Sequence, residues 1–196
     1  MPQAREMHML LRQASLSDLP AILDIYAQYM DTPITFELEV PAPDVFARRM
    51  RSVQTMYPWL AAEENGKILG YAYAHCPWER AAYQWNAELS IYLDRQAAGK
   101  GLGKRLYKAM LSLLACQNVR CALGCVTVPN AASERLHASL GFKEAARFER
   151  SGYKNNAWHD VVWFSLPLVD DALPPSPLIP FADLPKERVE AILAEE

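Results

Sequence analysis

A glycine-rich segment, Gln96-x-x-Gly99-x-Gly101-x-Gly103, lies between a predicted strand and a predicted helix. Glycine lets the backbone approach a ligand closely and adopt a positive φ. The start of the following helix leaves N–H groups without partners, and the helix dipole favours negative charge there. Three cationic residues add positive charge nearby: Lys100, Lys104 and Arg105. The segment predicts a site for a phosphate or pyrophosphate, and a glycine-rich turn beside a solvated helix face is the alternative.

Two other nucleotide-binding patterns do not fit this segment. A Walker A loop requires Gly-Lys-Ser/Thr at its end, which is missing here. A dinucleotide fingerprint has a different last spacing and follows the first strand of its domain, whereas this loop follows a later one.

Glu88 is the carboxylate that could act as a base near this loop. It lies in a strongly apolar and aromatic strand, close to Tyr83, Trp85 and Tyr92. Desolvation in such a strand raises the pKa of a carboxyl group toward a range useful for catalysis. From the strand alone, an outward-facing polar position is the more ordinary interpretation.

Two residues around the next short helix have both a chemical and a structural interpretation. The imidazole of His137 titrates near neutrality and suits proton exchange, but it can also simply pack on an amphipathic helix. Asn130 precedes the helix, where its amide can reach a ligand or cap the helix.

The elements that position these residues alternate along the chain. Apolar periodicity predicts helices over 16–30, 44–55, from Leu102 onward, 131–140 and 186–195. Strands are predicted over 9–14, 58–63, 68–75, 84–93, 121–128, 142–150 and 158–166. Asn65-Gly66 is a favoured hairpin turn. This order predicts a mixed sheet flanked by helices, in an α/β or α+β arrangement.

Composition indicates one globular domain. The chain has 196 residues, of which 51% are hydrophobic and 22% charged, which suits a single core. We expect the domain to cover residues 9–168, followed by a proline-rich extension over 169–196 that forms an extended arm.

Charge and cysteine usage argue against several classes of partner. The net charge of −3 is spread over the chain, so we expect neither nucleic acid nor a membrane surface as a partner. No apolar run approaches the roughly 18 residues of a membrane span, and the N-terminus lacks a signal-peptide core. The four cysteines fit no zinc pattern. We therefore expect a reduced, cytoplasmic protein without a metal.

Taken together, the motifs resemble the GNAT N-acetyltransferase superfamily, whose coenzyme A loop reads Gln/Arg-x-x-Gly-x-Gly/Ala. Within it, the chain is similar to the phosphinothricin and methionine sulfoximine acetyltransferases, over roughly residues 9–166. The matching segments include Thr35-Phe36-Glu37, Pro77-Trp78, Ala82-Tyr83-x-Trp85-x-Ala87-Glu88, Val128-Pro129-Asn130-x-x-Ser133, Leu136-His137-x-x-Leu140-Gly141-Phe142 and Gly152-Tyr153-Lys154.

The resemblance implies acetyl-CoA as co-substrate, bound between two splayed parallel strands, 84–93 and 121–128. Backbone groups of Ile91 and Leu93 would bind the pantetheine arm, and a strand bulge would free an N–H near Tyr92 for the thioester oxygen. The implied cofactor-binding residues are Ile91, Tyr92, Leu93, Gln96, Gly99, Lys100, Gly101, Leu102, Gly103, Lys104, Arg105, Asn130 and Ser133.

The same resemblance assigns the proton transfers. Glu88 would deprotonate the amine, and His137 would protonate the coenzyme A thiolate, although His137 as the base is an alternative that stays open.

The implied substrate carries a carboxylate. Arg80 would pair with it, with Phe36, Tyr83 and Tyr92 walling the pocket together with Glu88. A solvated loop cation is the alternative for Arg80, and core packing is the alternative for Phe36.

We therefore expect acetyl transfer to the amino group of a small amino-acid-like substrate, of the phosphinothricin, methionine sulfoximine or methionine sulfone type. The alternatives are a related enzyme for another small amine and a non-catalytic acyl-CoA sensor. The resemblance also implies a homodimer. Two departures leave the substrate's identity open: residues 155–157 lack a glycine, and Thr127-Val128 replaces a smaller pair.

Overall fold

Seven strands form one mixed sheet in the computed structural model, which describes residues 9–169 and 174–196. The sheet order is β1-β2-β3-β4-β5-β7-β6. The strands are β1 Met9–Gln13, β2 Trp59–Glu64, β3 Lys67–His75, β4 Asn86–Leu93, β5 Cys121–Val128, β6 Lys143–Lys154 and β7 Ala157–Pro167. Neighbouring strands are antiparallel except β4 and β5, which are parallel. The mixed α/β sheet expected from the sequence is confirmed.

Five α-helices accompany the sheet in the described part of the chain. They are α1 Leu19–Ala27, α2 Pro43–Gln54, α3 Leu102–Cys116, α4 Ala131–Ser139 and α5 Lys186–Glu195. The first is shorter than predicted because residues Leu16–Asp18 form a 3₁₀ turn. Asp18 closes a capping box with Ser15 there, which fixes the chain's entry into α1. The helix predicted over 186–195 is confirmed as α5.

Each face of the sheet packs against its own hydrophobic core. Helices α1 and α2 cover one face, with Trp59 and Tyr71 fully buried beneath them. Helices α3 and α5 cover the other face, where Leu106 and Met110 are fully buried. Since side chains alternate along a strand, successive residues of β4 point into different cores.

Strands β4 and β5 separate after a short paired stretch. Asn86–Glu88 pair with Cys121–Leu123; beyond that, β4 continues along β3 and β5 continues along β7. The splay implied by the resemblance is therefore confirmed. The predicted bulge at Tyr92 is wrong, because β3 and β4 pair without a register shift and Tyr92 lies opposite Tyr71.

The β6–β7 hairpin forms without a glycine in its turn. Asn155 and Asn156 adopt φ values of 53° and 59°. Asparagine tolerates this left-handed region better than other non-glycine residues, and two such residues make a turn that matches strand twist. The missing glycine noted in the sequence therefore leaves the hairpin intact, and both strands extend further than predicted.

The C-terminal segment packs on the α3 face. Phe181, Leu184 and Ile192 are buried in that core. Gln117, at the end of α3, is 1% exposed and donates through Nε2 to the carbonyls of Met56 and Ile179, at 2.6 and 2.9 Å. The arm predicted to be extended is thus docked on the domain from Ser176 onward, where Nε1 of Trp85 donates to the Ser176 carbonyl at 2.8 Å. Residues 170–173 lie outside the described ranges. The division of the chain at residue 168 stays a prediction. Among the described helices, none has the length and apolar character needed to span a bilayer.

Candidate active site

A cleft of about 410 Å³ opens where β4 and β5 separate. Such a volume is typical of a small-molecule site. Its walls come from β4, the glycine-rich loop and α4, and the residues that matter below are Ile91, Leu93, Gly99, Gly101, Gly103, Lys104, Asn130 and Ser133. The fold thus brings together most of the residues predicted to bind a cofactor.

The glycine-rich loop has the geometry of an anion cradle. Gly99 and Gly101 have φ values of 80° and 81°, and a Cβ built on either would meet no atom within 4 Å. The space beside both glycines is therefore open. The N–H groups of Lys104 and Arg105 donate to the Gly101 carbonyl, at 3.1 and 3.2 Å. The N–H groups before them remain at the positive end of the helix dipole, where a pyrophosphate fits.

The charged residues of this loop are not equivalent. Lys104 lines the cleft. Arg105 was predicted to add charge there, but its Nε donates to a main-chain oxygen of Glu196, so its side chain points to the end of α5. The side chain of Leu102 is buried in the α3-side core, where the residue is 1% exposed. Only its backbone can therefore contact a ligand. Gln96 and Lys100 are exposed and line neither this cleft nor the smaller cavity described below.

The backbone of β4 offers hydrogen-bonding groups to the cleft. The N–H of Asp94 donates to the Leu69 carbonyl at 2.8 Å. Because hydrogen-bonded pairs alternate along an antiparallel ladder, Tyr92 is bonded to β3 while Ile91 and Leu93 face the splay. The hydroxyl of Tyr29 donates to the Leu93 carbonyl at 2.6 Å, in agreement with a Leu93 carbonyl that is not bonded to β3. The placement expected for Ile91 and Leu93 is therefore observed, whereas the Tyr92 N–H is already bonded.

A smaller cavity of about 60 Å³ lies beside the cleft. Ile34, Ile91, Asn130 and Ser133 line both spaces. Asn130 caps α4, because its Oδ1 accepts the Ser133 N–H at 3.2 Å. Both interpretations of Asn130 therefore agree with its position: it caps the helix and lines the cavities.

His137 lies at the wall of the smaller cavity, on the α3 side of the sheet. It is 1% exposed, and its Nδ1 is 2.8 Å from the Ser133 carbonyl. Since a carbonyl can only accept, Nδ1 carries the proton and Nε2 of the neutral ring has a free lone pair. Nε2 has no hydrogen-bond partner among the described residues. Burial lowers the pKa of His137, which keeps the ring neutral.

Glu88 lies on the opposite face of the sheet from His137. Its side chain is 19% exposed and stands across the β3–β4 ladder from His75, with Oε2 and Nε2 3.9 Å apart. Burial raises the pKa of the Glu88 carboxyl, and positive charge on His75 opposes that rise. The desolvated carboxylate expected from the sequence is therefore observed, in place of an outward-facing polar residue.

The residues predicted to bind the substrate are more scattered. Arg80 is exposed before the 3₁₀ turn at Ala81–Tyr83 and lines neither cavity. Tyr83 is 43% exposed, with its ring 5.0 Å from that of Trp78. Phe36 is 40% exposed and packs on Gly152. The substrate roles of these three side chains stay predictions.

Several residues of the site were missed by sequence reasoning. Tyr107 lines the smaller cavity with its hydroxyl 3.4 Å from the Leu89 carbonyl. The signal in the sequence was the hydroxyl of Tyr107, a polar group among the otherwise apolar residues on the buried face of α3. Ile34 and Cys125 line the same cavity, and neither belongs to a local pattern that indicates a site.

Comparisons with known proteins agree with this geometry. The family model of the acetyltransferase (GNAT) domain matches residues 11–163. The phosphinothricin N-acetyltransferase of Streptomyces viridochromogenes is 34% identical over 180 residues, covering 89% of this chain and 95% of the relative. The L-methionine sulfoximine/L-methionine sulfone acetyltransferase of Pseudomonas aeruginosa is 30% identical, covering 81% and 94%.

A solved structure has the same fold. The phosphinothricin acetyltransferase (Pat) of Sinorhizobium meliloti, in complex with acetyl-CoA, has a TM-score of 0.79 and 29% identity, covering 87% of this chain and 98% of its own. The family match, the splayed strands and the glycine cradle lead to the same conclusion. The chain belongs to the GNAT family and is an acetyl-CoA-dependent N-acetyltransferase.

Proposed function

We propose that this enzyme acetylates the amino group of a small amino-acid-like substrate, of the phosphinothricin, methionine sulfoximine or methionine sulfone type. The names of the relatives support this substrate class. The observation that carries the chemistry is the pair of proton-transfer groups at the splay. Glu88 is a desolvated carboxyl on one face, and His137 has a free Nε2 lone pair on the other.

The chain's own groups orient the co-substrate, which supplies the acetyl group as a thioester. Gly99, Gly101 and the first N–H groups of α3 hold the pyrophosphate, with Lys104 beside them. The β4 groups of Ile91 and Leu93 bind the pantetheine arm. A β4 N–H on the splay side stabilises the negative charge that develops on the thioester oxygen. The splay frees this donor, where the resemblance led us to expect a bulge.

Glu88 removes the first proton. An amino-acid amine is mostly protonated at pH 7, so it becomes a nucleophile only after a base accepts that proton. The raised pKa of Glu88 makes its carboxylate a stronger base than an exposed one.

His137 transfers the second proton. As the C–N bond forms and the C–S bond breaks, the amine nitrogen must lose another proton and the sulfur must gain one. The Nε2 lone pair accepts the former and the resulting N–H donates to the thiolate. The lowered pKa of His137 makes its protonated form a ready donor.

A homodimer and a cytoplasmic location belong to the same proposal. Three large aromatic side chains on the β6–β7 hairpin are more than half exposed: Phe148, Tyr153 and Trp158, at 53%, 56% and 53%. Exposed aromatic patches are typical of protein interfaces. Light scattering on the purified protein tests the dimer, and a mass equal to the 22.1 kDa chain would contradict it.

The function is tested by thiol release from acetyl-CoA with a panel of amines. The panel contains phosphinothricin, methionine sulfoximine, methionine sulfone, common amino acids and spermidine. We expect turnover with the carboxylate-bearing amines and its loss in Glu88→Gln. Turnover with spermidine alone would mean that the substrate is a polyamine and not an amino-acid-like amine. Binding of acetyl-CoA without turnover of any amine would favour a non-catalytic acyl-CoA sensor.

A further inference from the structure

Lys154, at the end of β6, is buried although it belongs to no ion pair within the described residues. It is 4% exposed, and its Nζ donates to the carbonyls of Thr35 and Glu37, at 2.7 and 2.8 Å. A buried ammonium is costly unless acceptors surround it. This lysine therefore joins the hairpin to a segment more than a hundred residues earlier in the chain.

That segment, residues 32–37, is also held from the helix side. The hydroxyls of Tyr26 and Thr35 are 2.6 Å apart, and Arg49 pairs with Glu37 at 2.7 Å. The ring of Phe36 lies against Gly152, where a Cβ would overlap with it. We call residues 32–37 the roof segment, because it is fixed from both α1–α2 and the β6–β7 hairpin.

The roof segment carries Ile34 to the junction of the two cavities. Ile34 lines both the large cleft and the smaller cavity, next to the fixed Thr35. The smaller cavity is also lined by Tyr107, His137 and Cys125 and measures about 60 Å³. A single water needs about 10–15 Å³ of such a volume, so the space accommodates about four to six water-sized atoms. An acetyl group fits within it, and a butyryl group fills it.

We propose that Ile34 sets the largest acyl group that this enzyme accepts from coenzyme A, and that Lys154 is the positioning residue that holds Ile34 in place. The inference rests on the proposed function in that the smaller cavity takes the acyl end of the thioester. It adds a determinant of acyl-donor specificity, which depends on two hydrogen bonds from a buried ammonium to backbone carbonyls.

The first experiment compares acetyl-CoA, propionyl-CoA and butyryl-CoA in titration calorimetry, without any amine. We expect the wild type to bind acetyl-CoA more tightly than butyryl-CoA. In Ile34→Ala, the ratio of the affinity for butyryl-CoA to the affinity for acetyl-CoA should rise by about tenfold or more. One or two methylene groups typically change binding on this scale. An unchanged ratio in Ile34→Ala overturns the proposal for Ile34.

Lys154→Met tests the positioning role, with Lys143→Met as the control. Lys143 is exposed at the other end of the same strand. We expect Lys154→Met to shift the ratio in the same direction as Ile34→Ala and Lys143→Met to leave it unchanged. A uniform loss of affinity with a constant ratio would show a merely structural role and overturn the proposal for Lys154.

A milder variant covers the case in which Lys154→Met does not fold. Tyr26→Phe removes the hydroxyl that contacts Thr35, and we expect a smaller ratio shift in the same direction. A constant ratio in a folded Tyr26→Phe would contradict the positional control of Ile34. The binding experiments need no amine, so they are independent of the proposed function. If the enzyme selects among acyl-CoA donors but acetylates none of the amines, the proposed function is wrong and this inference stands.

Discussion

The imidazole of His137 occupies the space that a side chain on Gly124 would fill. A Cβ built on Gly124 would overlap with Nε2 of His137. The missing side chain on β5 therefore leaves the space in which the histidine packs against the strand, at the wall of the smaller cavity.

Gly124→Ala should therefore act through His137. We expect kcat to fall about a hundredfold, at the lower end of what a displaced acid–base group costs. Kinetics of Gly124→Ala, His137→Ala and the double variant check this. The double variant should lose little beyond His137→Ala, and losses that multiply would contradict the shared mechanism.

His75 should tune the pH dependence of the reaction. Burial raises the pKa of Glu88, and protonated His75 partly lowers it again. In His75→Gln that opposing charge is gone, so the pKa of Glu88 rises further. In His75→Gln, the ascending limb of the kcat/KM–pH profile should therefore move to higher pH. Loss of the base itself in Glu88→Gln should lower kcat/KM by about 10²–10⁴-fold. A limb that moves to lower pH in His75→Gln would be inconsistent with this assignment.

Lys104 and Arg105 should contribute differently to co-substrate binding, although they are adjacent. Lys104 lines the cleft, whereas Arg105 bonds to the backbone of Glu196. We expect Lys104→Ala to weaken acetyl-CoA binding about tenfold, as expected for one hydrogen bond to a charged group. Arg105→Ala should leave the Kd unchanged. Equal effects in calorimetry would mean that Arg105 also reaches the ligand.

Asp18 should make stability depend on pH. Two hydrogen bonds from Arg12, at 2.8 and 2.7 Å, hold the pKa of Asp18 at about 2. The folded state therefore favours the charged form, which contributes stability above the unfolded pKa near 4 and loses it as pH falls toward 2. Asp18→Asn should cost about 2 kcal/mol at pH 7.

Urea unfolding of Asp18→Asn and wild type at several pH values checks this. The difference between them should shrink below about pH 4. Asp44→Asn is the control, because its pair with Arg48 is exposed and should contribute little. A difference that stays constant down to pH 2 would argue against the linkage.

Gln117 should hold the C-terminal segment on the domain. Its Nε2 donates to both Met56 and Ile179. Gln117→Leu therefore leaves the Ile179 carbonyl without this donor, whereas the Met56 carbonyl still accepts the Phe181 N–H at 2.9 Å. We expect a loss of about 1–3 kcal/mol in the free energy of unfolding, and faster proteolysis after residue 174. Asn118→Gly, which removes an exposed bond to Pro177 and tolerates the positive φ of 66° at this position, should have a smaller effect. Equal stability of Gln117→Leu and wild type would contradict this role.

The sequence by itself determined the elements and the cofactor loop. Both depend on short-range patterns: the period of α3, the Asn65-Gly66 turn and the glycines before a helix start are each encoded within a few residues. The resemblance to a family added the splay of β4 and β5, and it placed Glu88 and His137 at that splay.

Only the tertiary structure decided which groups face which space. The direction of Arg105, the bonded N–H of Tyr92 and the opposite faces of Glu88 and His137 follow from strand register and helix packing. The bond from Lys154 to Thr35 joins positions 119 residues apart. No local pattern encodes such a contact, because it forms only when sheet and helices bury their apolar faces together. Propensity and periodicity act within one element, whereas the cavity and its roof segment are made where several elements meet.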